Sequence, residues 1–218
     1  PEQKISWVSV DVVDWHNISK KIPDAVKHHG LPDVLVASAG ASFADYFEHI
    51  SYEKFDEIMK VNVYGIRNTV LAFLPSMKNR NCNITIISSM AGLVGVFGYT
   101  AYGTSKYAAV GFAECLRAEL KPYHITISVV CPPEVDTPLL AHELAGAPPE
   151  ARAVKKFAGF LQPEYVAKVI ARGIARKKFL IIPGFMARMT YFFHRHTGGR
   201  LSRFVSDVLI ARTSKKHR

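Results

Sequence analysis

Apolar residues follow two alternating rhythms along this chain. Five short runs are rich in β-branched and aromatic residues: ISWVSV (Ile5–Val10), VLVAS (Val34–Ser38), ITIIS (Ile84–Ser88), ITISVVC (Ile125–Cys131) and FLIIP (Phe179–Pro183). Each reads as a buried strand. Between them the apolar positions take helical spacing. Asn17 or Ser19 is placed to cap a helix running to His29, stopped by Gly30 and Pro32. Ser51 opens a long helical stretch to Met77, with Phe55, Ile58, Met59, Val63, Ile66, Val70 and Phe73 on its apolar stripe. Tyr99 to Pro122 is helical again, Leu139–Gly159 reads as a helical flap around AGAPPEA, and Pro163 starts a helix that ends at Arg176. Strands that are near-continuous apolar runs, alternating with helices, predict an α/β fold: a doubly wound parallel sheet covered on both faces. Ligands of such sheets sit beyond the carboxyl ends of the strands. Four stretches fall there, DVVD (11–14), ASAG (37–40), SSMAG (88–92) and PPEVDTP (132–138).

Composition narrows this only slightly. With 218 residues, 49% of them hydrophobic and 21% charged, the chain fits a soluble globular domain with a sizeable core. The apolar runs fall far short of the ~20 residues that span a bilayer, and the amino end carries no secretory signal. Cys82, Cys115 and Cys131 are odd in number and widely spaced, which predicts reduced thiols and a cytoplasmic setting. The nine histidines lack metal-ligand spacing, so no metal is expected. Charge changes the picture more. Residues 1–151 hold 12 Lys and Arg against 16 Asp and Glu, a balance of −4, whereas residues 152–218 hold 16 against 2, a balance of +14. The carboxyl third therefore calls for an anionic partner.

The chemistry-bearing stretch is Ser88–Lys106. Ser89 precedes Tyr102 by thirteen residues, and Lys106 follows Tyr102 by four. Four residues apart on a helix, the phenol and the ammonium share a face. An ammonium beside a phenol favours the phenolate and lowers a pKa of about 10 towards neutrality. Tyr102 then suits general acid/base work, Lys106 tunes it, and Ser89 at a strand end can donate to the same substrate oxygen. A tyrosine–lysine pair alone fits a solvated helix face better than a catalytic pair; the serine thirteen residues earlier, at the strand exit, is what weighs against that.

These residues, in this order, resemble the short-chain dehydrogenase/reductase family. The resemblance covers residues 5 to about 183 and implies a Rossmann-like sheet. It implies catalytic roles for Asn62 (in KVNVYG), Ser89, Tyr102 and Lys106, with Asn62 holding a water of the proton relay and Lys106 bonding the nicotinamide ribose. It implies cofactor contacts at Asp11 and Val12 of DVVD, with Asp11 on the adenine. Further contacts are implied at the turn Ala39–Gly40, and at Pro132, Val135 and Thr137, the last two on the carboxamide. Two departures stand out. ASAG lacks both asparagines of the family's NNAG turn, and Pro133 replaces a glycine. A third is larger: the family's opening strand and TGxxxGxG turn are absent, and ISWVSV matches the fold's third strand. The implied strand order, 3-2-1-4-5-6-7, leaves Ile5–Val10 without a neighbour. The expectation is roughly 30–60 further residues upstream, about one βαβ unit.

Within the family, FGYTAYGTSK, ELKPYHITISVV and PPEVDTP resemble the branch that reduces 3-ketodihydrosphingosine to dihydrosphingosine with NADPH. The resemblance therefore implies ketone reduction on a lipid-like substrate, with NADPH preferred to NADH. A short-chain reductase of a steroid, retinoid or 3-oxoacyl carbonyl is the alternative. Another is an idle scaffold that docks on a membrane or a partner. Residues 1–183 are expected to form the reductase domain and 184–218 a basic amphipathic tail. Phe185, Met186, Met189, Phe192 and Phe193, then Leu201, Phe204, Val205, Val208 and Leu209, keep helical spacing among arginines. Such a tail fits peripheral membrane contact, for instance at the cytosolic face of the endoplasmic reticulum, and equally a helix covering the core or a subunit interface. No groove-reading motif points to nucleic acid. The family's dimers and tetramers use the helices 51–77 and 99–122. Here Ala108, Ala109, Gly111 and Ala113 are expected to allow close helix packing between copies.

Overall fold

The computed structural model describes residues 4–214, apart from the side chains of residues 141, 142, 144, 145, 156–158 and 214. The last four residues of the expected tail, 215–218, lie outside the described residues. Four parallel strands, β1 (Val34–Ala37), β2 (Asn83–Ile87), β3 (Thr126–Val130) and β4 (Leu180–Ile181), form one sheet in the order β1-β2-β3-β4. The helices are α1 (Trp15–His29), α2 (Tyr52–Met59), α3 (Gly65–Met77), α4 (Thr100–Leu120), α5 (Pro138–Gly146), α6 (Pro149–Ala158), α7 (Pro163–Ala175), α8 (Phe185–His196) and α9 (Arg200–Ser214).

β2 and β3 are buried along nearly their whole length, and the polar side chains they carry, Asn83, Thr85 and Ser128, are hydrogen-bonded among themselves. β1 is not. Leu35 and Ala37 enter the core, whereas Val34 and Val36 stand 46% and 45% exposed. Its outer edge has no strand partner among the described residues. Ile5–Val10, expected as a strand, is not one: Ile5 and Trp7 are 83% and 86% exposed. A strand needs a ladder partner for its N–H and C=O groups, and no described strand pairs with this run, which meets α1 through Ser6–His29 and Lys21–Ser9 O. The expectation of a sheet covered on both faces therefore holds for the central strands and fails at β1.

The main core is an apolar body that α3 and α4 press onto the sheet, with Met77, Ile84, Ile86, Ala113 and Val129 at its centre, and a smaller cluster gathers Ala44, Tyr99, Ala147 and Ala151. Local chemistry sets the helix ends. Asp14, rather than the expected Asn17 or Ser19, caps α1 by accepting from Asn17 N at 3.0 Å. Ser51 caps α2. The stretch 51–77 is continuous but interrupted by a π-turn, Lys60–Tyr64, which links α2 to α3. Ala109 and Ala113, expected on a subunit interface, are buried in the chain's own core, which leaves Ala108 and Gly111 at the surface of α4. The flap 139–159 is two helices, α5 and α6. The tail helix α9 packs against α6 and against α8.

Candidate active site

The strand exits bring distant residues to one edge. Ser89, directly after β2, is extended and caps a short 3-10 turn by accepting from Ala91 N at 3.1 Å. The turn carries Gly92, where a Cβ would lie 2.5 Å from Ser88 Oγ and 2.6 Å from Lys106 O. Glycine is therefore what allows the β2 exit to touch the backbone of α4. Ser88 Oγ completes that contact by donating to Lys106 O at 2.9 Å. The tyrosine and the lysine ride on α4, one turn apart.

Asn62 sits in the π-turn and is wholly buried. A π-turn re-aims one side chain without ending the helix, a device frequent at functional sites. Asn62 Oδ1 accepts from Ala41 N at 2.8 Å, and its Nδ2 donates to Ala41 O and to Ser105 Oγ, both at 2.9 Å. It thus clamps the turn after β1 to α4. Gly40 lies at the meeting point: a Cβ there would stand 3.3 Å from Asn62 Oδ1 and 3.5 Å from Lys106 Nζ. Ala39 and Gly40 are thereby held against the asparagine and the lysine without either asparagine of the family's turn.

Burial governs the electrostatics. The Tyr102 phenol is held well above its ordinary value, chiefly by desolvation, while the Ser89 hydroxyl facing it works the other way. Glu143 and Glu134 push it further up. Lys106 is itself pushed down to about 8 by burial. Its ammonium donates to Ile87 O at 3.1 Å and stands 5.5 Å from the centre of the Tyr102 ring. The expected lowering of Tyr102 by Lys106 is thus absent from this arrangement, because desolvation outweighs it.

The lysine carries a stability signature. Its native pKa lies below that of the unfolded chain, so the unfolded state binds more protons between the two values. Stability rises with pH there. The expected result is a gain of about 2 kcal/mol between pH 8 and pH 10 at one proton per unit. The gain should vanish in Lys106→Met. Denaturant titrations at both pH values check it, and equal slopes in the two proteins would refute it.

The remaining predicted positions are less concentrated. Asp11 turns back on its own loop, accepting from Val13 N at 2.9 Å. Val12 lines a cleft of about 220 Å3 with Val36, Ala37, Ser38, Ala39, Gly65, Ile66 and Thr69. Pro132 O accepts from Met90 N at 2.9 Å, tying the PPEVDTP segment to the Ser89 turn. Val135 bridges to Leu161, and Thr137 caps α5 through Leu140 N at 3.4 Å. The sequence reading missed Asn68, which donates to Val12 O at 3.0 Å and holds DVVD to α3. It missed Ser105, whose only signal is a small hydroxyl next to Lys106. It also missed Tyr99, Glu143 and Lys155, whose pairing crosses from α4 to the flap and leaves no local signal.

The carboxyl edge of a parallel α/β sheet thus gathers Asn62, Ser89, Tyr102 and Lys106. The chain belongs to the short chain dehydrogenase family, whose model matches residues 2–147. It is 38% identical over 180 residues to a 3-dehydrosphinganine reductase of Danio rerio, and 37% identical over 180 residues to a 3-ketodihydrosphingosine reductase of Mus musculus. Both alignments cover 82% of this chain and 54% of the relative, so the chain spans about half the length of these relatives. Among solved structures, a short chain dehydrogenase from Mycobacterium paratuberculosis bound to NAD is 27% identical with a TM-score of 0.73, covering 82% of this chain and 73% of that one. A short-chain dehydrogenase from Streptomyces avermitilis shares the fold at a TM-score of 0.74 and 22% identity, over 94% and 79% of the two chains.

Proposed function

We propose that this chain carries the acid/base half of a nicotinamide-dependent ketone reductase acting on a long-chain 3-keto sphingoid base, 3-ketodihydrosphingosine. The observation that carries the reading is the convergence of Asn62, Gly40 and Lys106 beside Tyr102 and Ser89. The names of the relatives supply the substrate class.

The residues present fit a nicotinamide nucleotide along the cleft lined by Val12, Ser38 and Ala39 and at Gly40, where a Cβ would stand 3.3 Å from Asn62 Oδ1 and 3.5 Å from Lys106 Nζ. Asp11 and Val12 would flank the adenine, Ala39 and Gly40 the ribose, and Pro132, Val135 and Thr137 the carboxamide. Bound there in reduced form, the cofactor supplies a hydride; NADPH is the form the resemblance favours. Tyr102 gives its proton to the carbonyl oxygen as negative charge develops on it. Ser89 donates to the same oxygen and fixes its position. Lys106, pushed down to about 8, returns a proton to the phenolate from its ammonium form and is left as the amine, and Asn62 holds the helix turn from which that path reaches solvent. The flap, α5 and α6, closes over the substrate.

Lipid access has its own support. Phe185, Met186, Phe192 and Phe204 are exposed on α8 and α9, beside Arg188, Arg195, Arg200 and Arg203. No helix among the described residues is long and apolar enough to cross a membrane. Surface attachment to anionic lipid, as on the cytosolic face of the endoplasmic reticulum, matches that mixture. Two or four copies joined through α2–α3 and α4 complete the reading; Leu71 and Tyr107 are exposed there, and light scattering counts the copies.

One experiment tests the substrate and the membrane together. Turnover is followed by NADPH absorbance with the ketosphingoid base, a steroid, a retinoid and a 3-oxoacyl thioester, each presented in anionic and in neutral vesicles. The expected result is selective turnover of the sphingoid ketone, stimulated by anionic vesicles. Equal rates across the panel would overturn the substrate, equal rates in the two vesicles the membrane contact, and no turnover of any carbonyl would support an idle scaffold.

A further inference from the structure

The flap carries a buried charge cluster that the proposed chemistry does not use. Lys155 on α6 and Glu143 on α5 have side chains only 6% and 5% exposed. The Lys155 ammonium bonds Glu143 at close range and Glu134 Oε2 at 3.0 Å, and lies 4.3 Å from the centre of the Tyr99 ring. Glu143 also accepts from Tyr99 Oη at 2.5 Å and from Ser42 Oγ. Three separate parts of the chain are joined here: the loop after β1, the start of α4, and the segment leading from β3 into the flap. Tyr99 in turn meets the Tyr102 ring edge-on at 5.9 Å.

We propose that Lys155 is a positioning residue for Tyr102, latching the flap shut while neutralising the carboxylates that face the phenol. The proposal rests on Tyr102 being the acid/base group. Geometry supports the latch. An ion pair this deeply buried is costly to break from one side, because the surviving charge is left without a partner. Ala147 and Ala151 of the flap pack with Ala44 and Tyr99, and Tyr102 closes that small apolar cluster. Electrostatics support the second role. The groups whose charge or hydrogen bonding bears on the Tyr102 phenol are Ser89, Glu143, Glu134 and Cys131, with Lys106 over the ring and Tyr99 at its edge. Both carboxylates hold the phenol proton on, and burial raises Glu134 as well, an effect that Lys155 opposes. One ammonium against two carboxylates leaves a single surplus negative charge beside the phenol; without it there are two.

The test uses the full-length enzyme and follows alcohol oxidation against pH. The acid limb of kcat/KM reports the loss of the phenol proton. Lys155→Met is expected to move that limb upward by about one pH unit, tenfold in proton affinity. The double variant Lys155→Met/Glu143→Gln restores a single surplus charge and is expected to return the limb to its wild-type position. Lys155→Arg should keep it there. A limb that stays fixed in Lys155→Met, or a double variant that fails to restore it, would overturn the proposal even if stability falls. Retained turnover in Tyr102→Phe would instead overturn the acid/base reading on which it rests, so the two failures are distinguishable.

Discussion

Replacing Tyr102 by Phe is expected to lower turnover by at least two orders of magnitude, the usual scale for a lost general acid, and to leave the fold intact. The variant keeps the ring, and with it the edge-on contact to Tyr99. It removes only the hydroxyl that faces Ser89 in a desolvated pocket. Burying a phenol there costs free energy, so deleting the oxygen should change stability by less than about 1 kcal/mol. Cofactor affinity should persist. Single-turnover kinetics together with fluorescence titration of NADPH separate these quantities. Wild-type turnover, or a loss of cofactor binding equal to the loss of rate, would remove Tyr102 from the role.

The second large effect belongs to Asn62. Asn62→Ala deletes three hydrogen bonds at once: Ala41 N and Ala41 O lose their side-chain partner, and Ser105 Oγ keeps only its bond to Tyr102 O. Each lost hydrogen bond costs about 1 kcal/mol. The expected destabilisation is therefore about 3 kcal/mol, which at this chain length corresponds to a fall in Tm of roughly 6–12 °C. Turnover should fall as well, since the turn carrying Gly40 loses its clamp to α4. Calorimetry measures the first and steady-state rates the second. If Tm stays within a degree of wild type, Asn62 is not the clamp described here.

What was legible in the sequence, and what was not, follows from how far each residue's partner lies along the chain. Tyr102 and Lys106 sit one helical turn apart, so their shared face follows from spacing alone. β2 and β3 announced themselves through short runs rich in β-branched residues, with few polar positions because both of their faces are buried. Ile5–Val10 has the same composition and is no strand, since composition specifies a candidate but a ladder requires a neighbour. The electrostatic expectation for Tyr102 failed for a related reason. Proximity to Lys106 can be read from spacing, whereas desolvation depends on everything that covers the site, including a flap anchored through Lys155 and Glu143. The small residues of α4 gave the reverse error: Ala109 and Ala113 fit a subunit seam by size, yet they face the sheet.

The π-turn at Lys60–Tyr64 makes the chain unusually intolerant of one kind of change. It accommodates one residue more than a regular helix would place between α2 and α3. Removing a single residue from 60–64 would let the segment relax into an unbroken α-helix, a locally cheaper conformation. Everything on its amino-terminal side would then rotate by about 100° and advance by about 1.5 Å. Ile58, 1% exposed in its present register, would leave its pocket, and the position now held by Asn62 would no longer meet both Ala41 and Ser105. A length change of one residue here is thus an all-or-none alteration of the site, whereas most substitutions at the neighbouring exposed Lys60 and Tyr64 leave it in place.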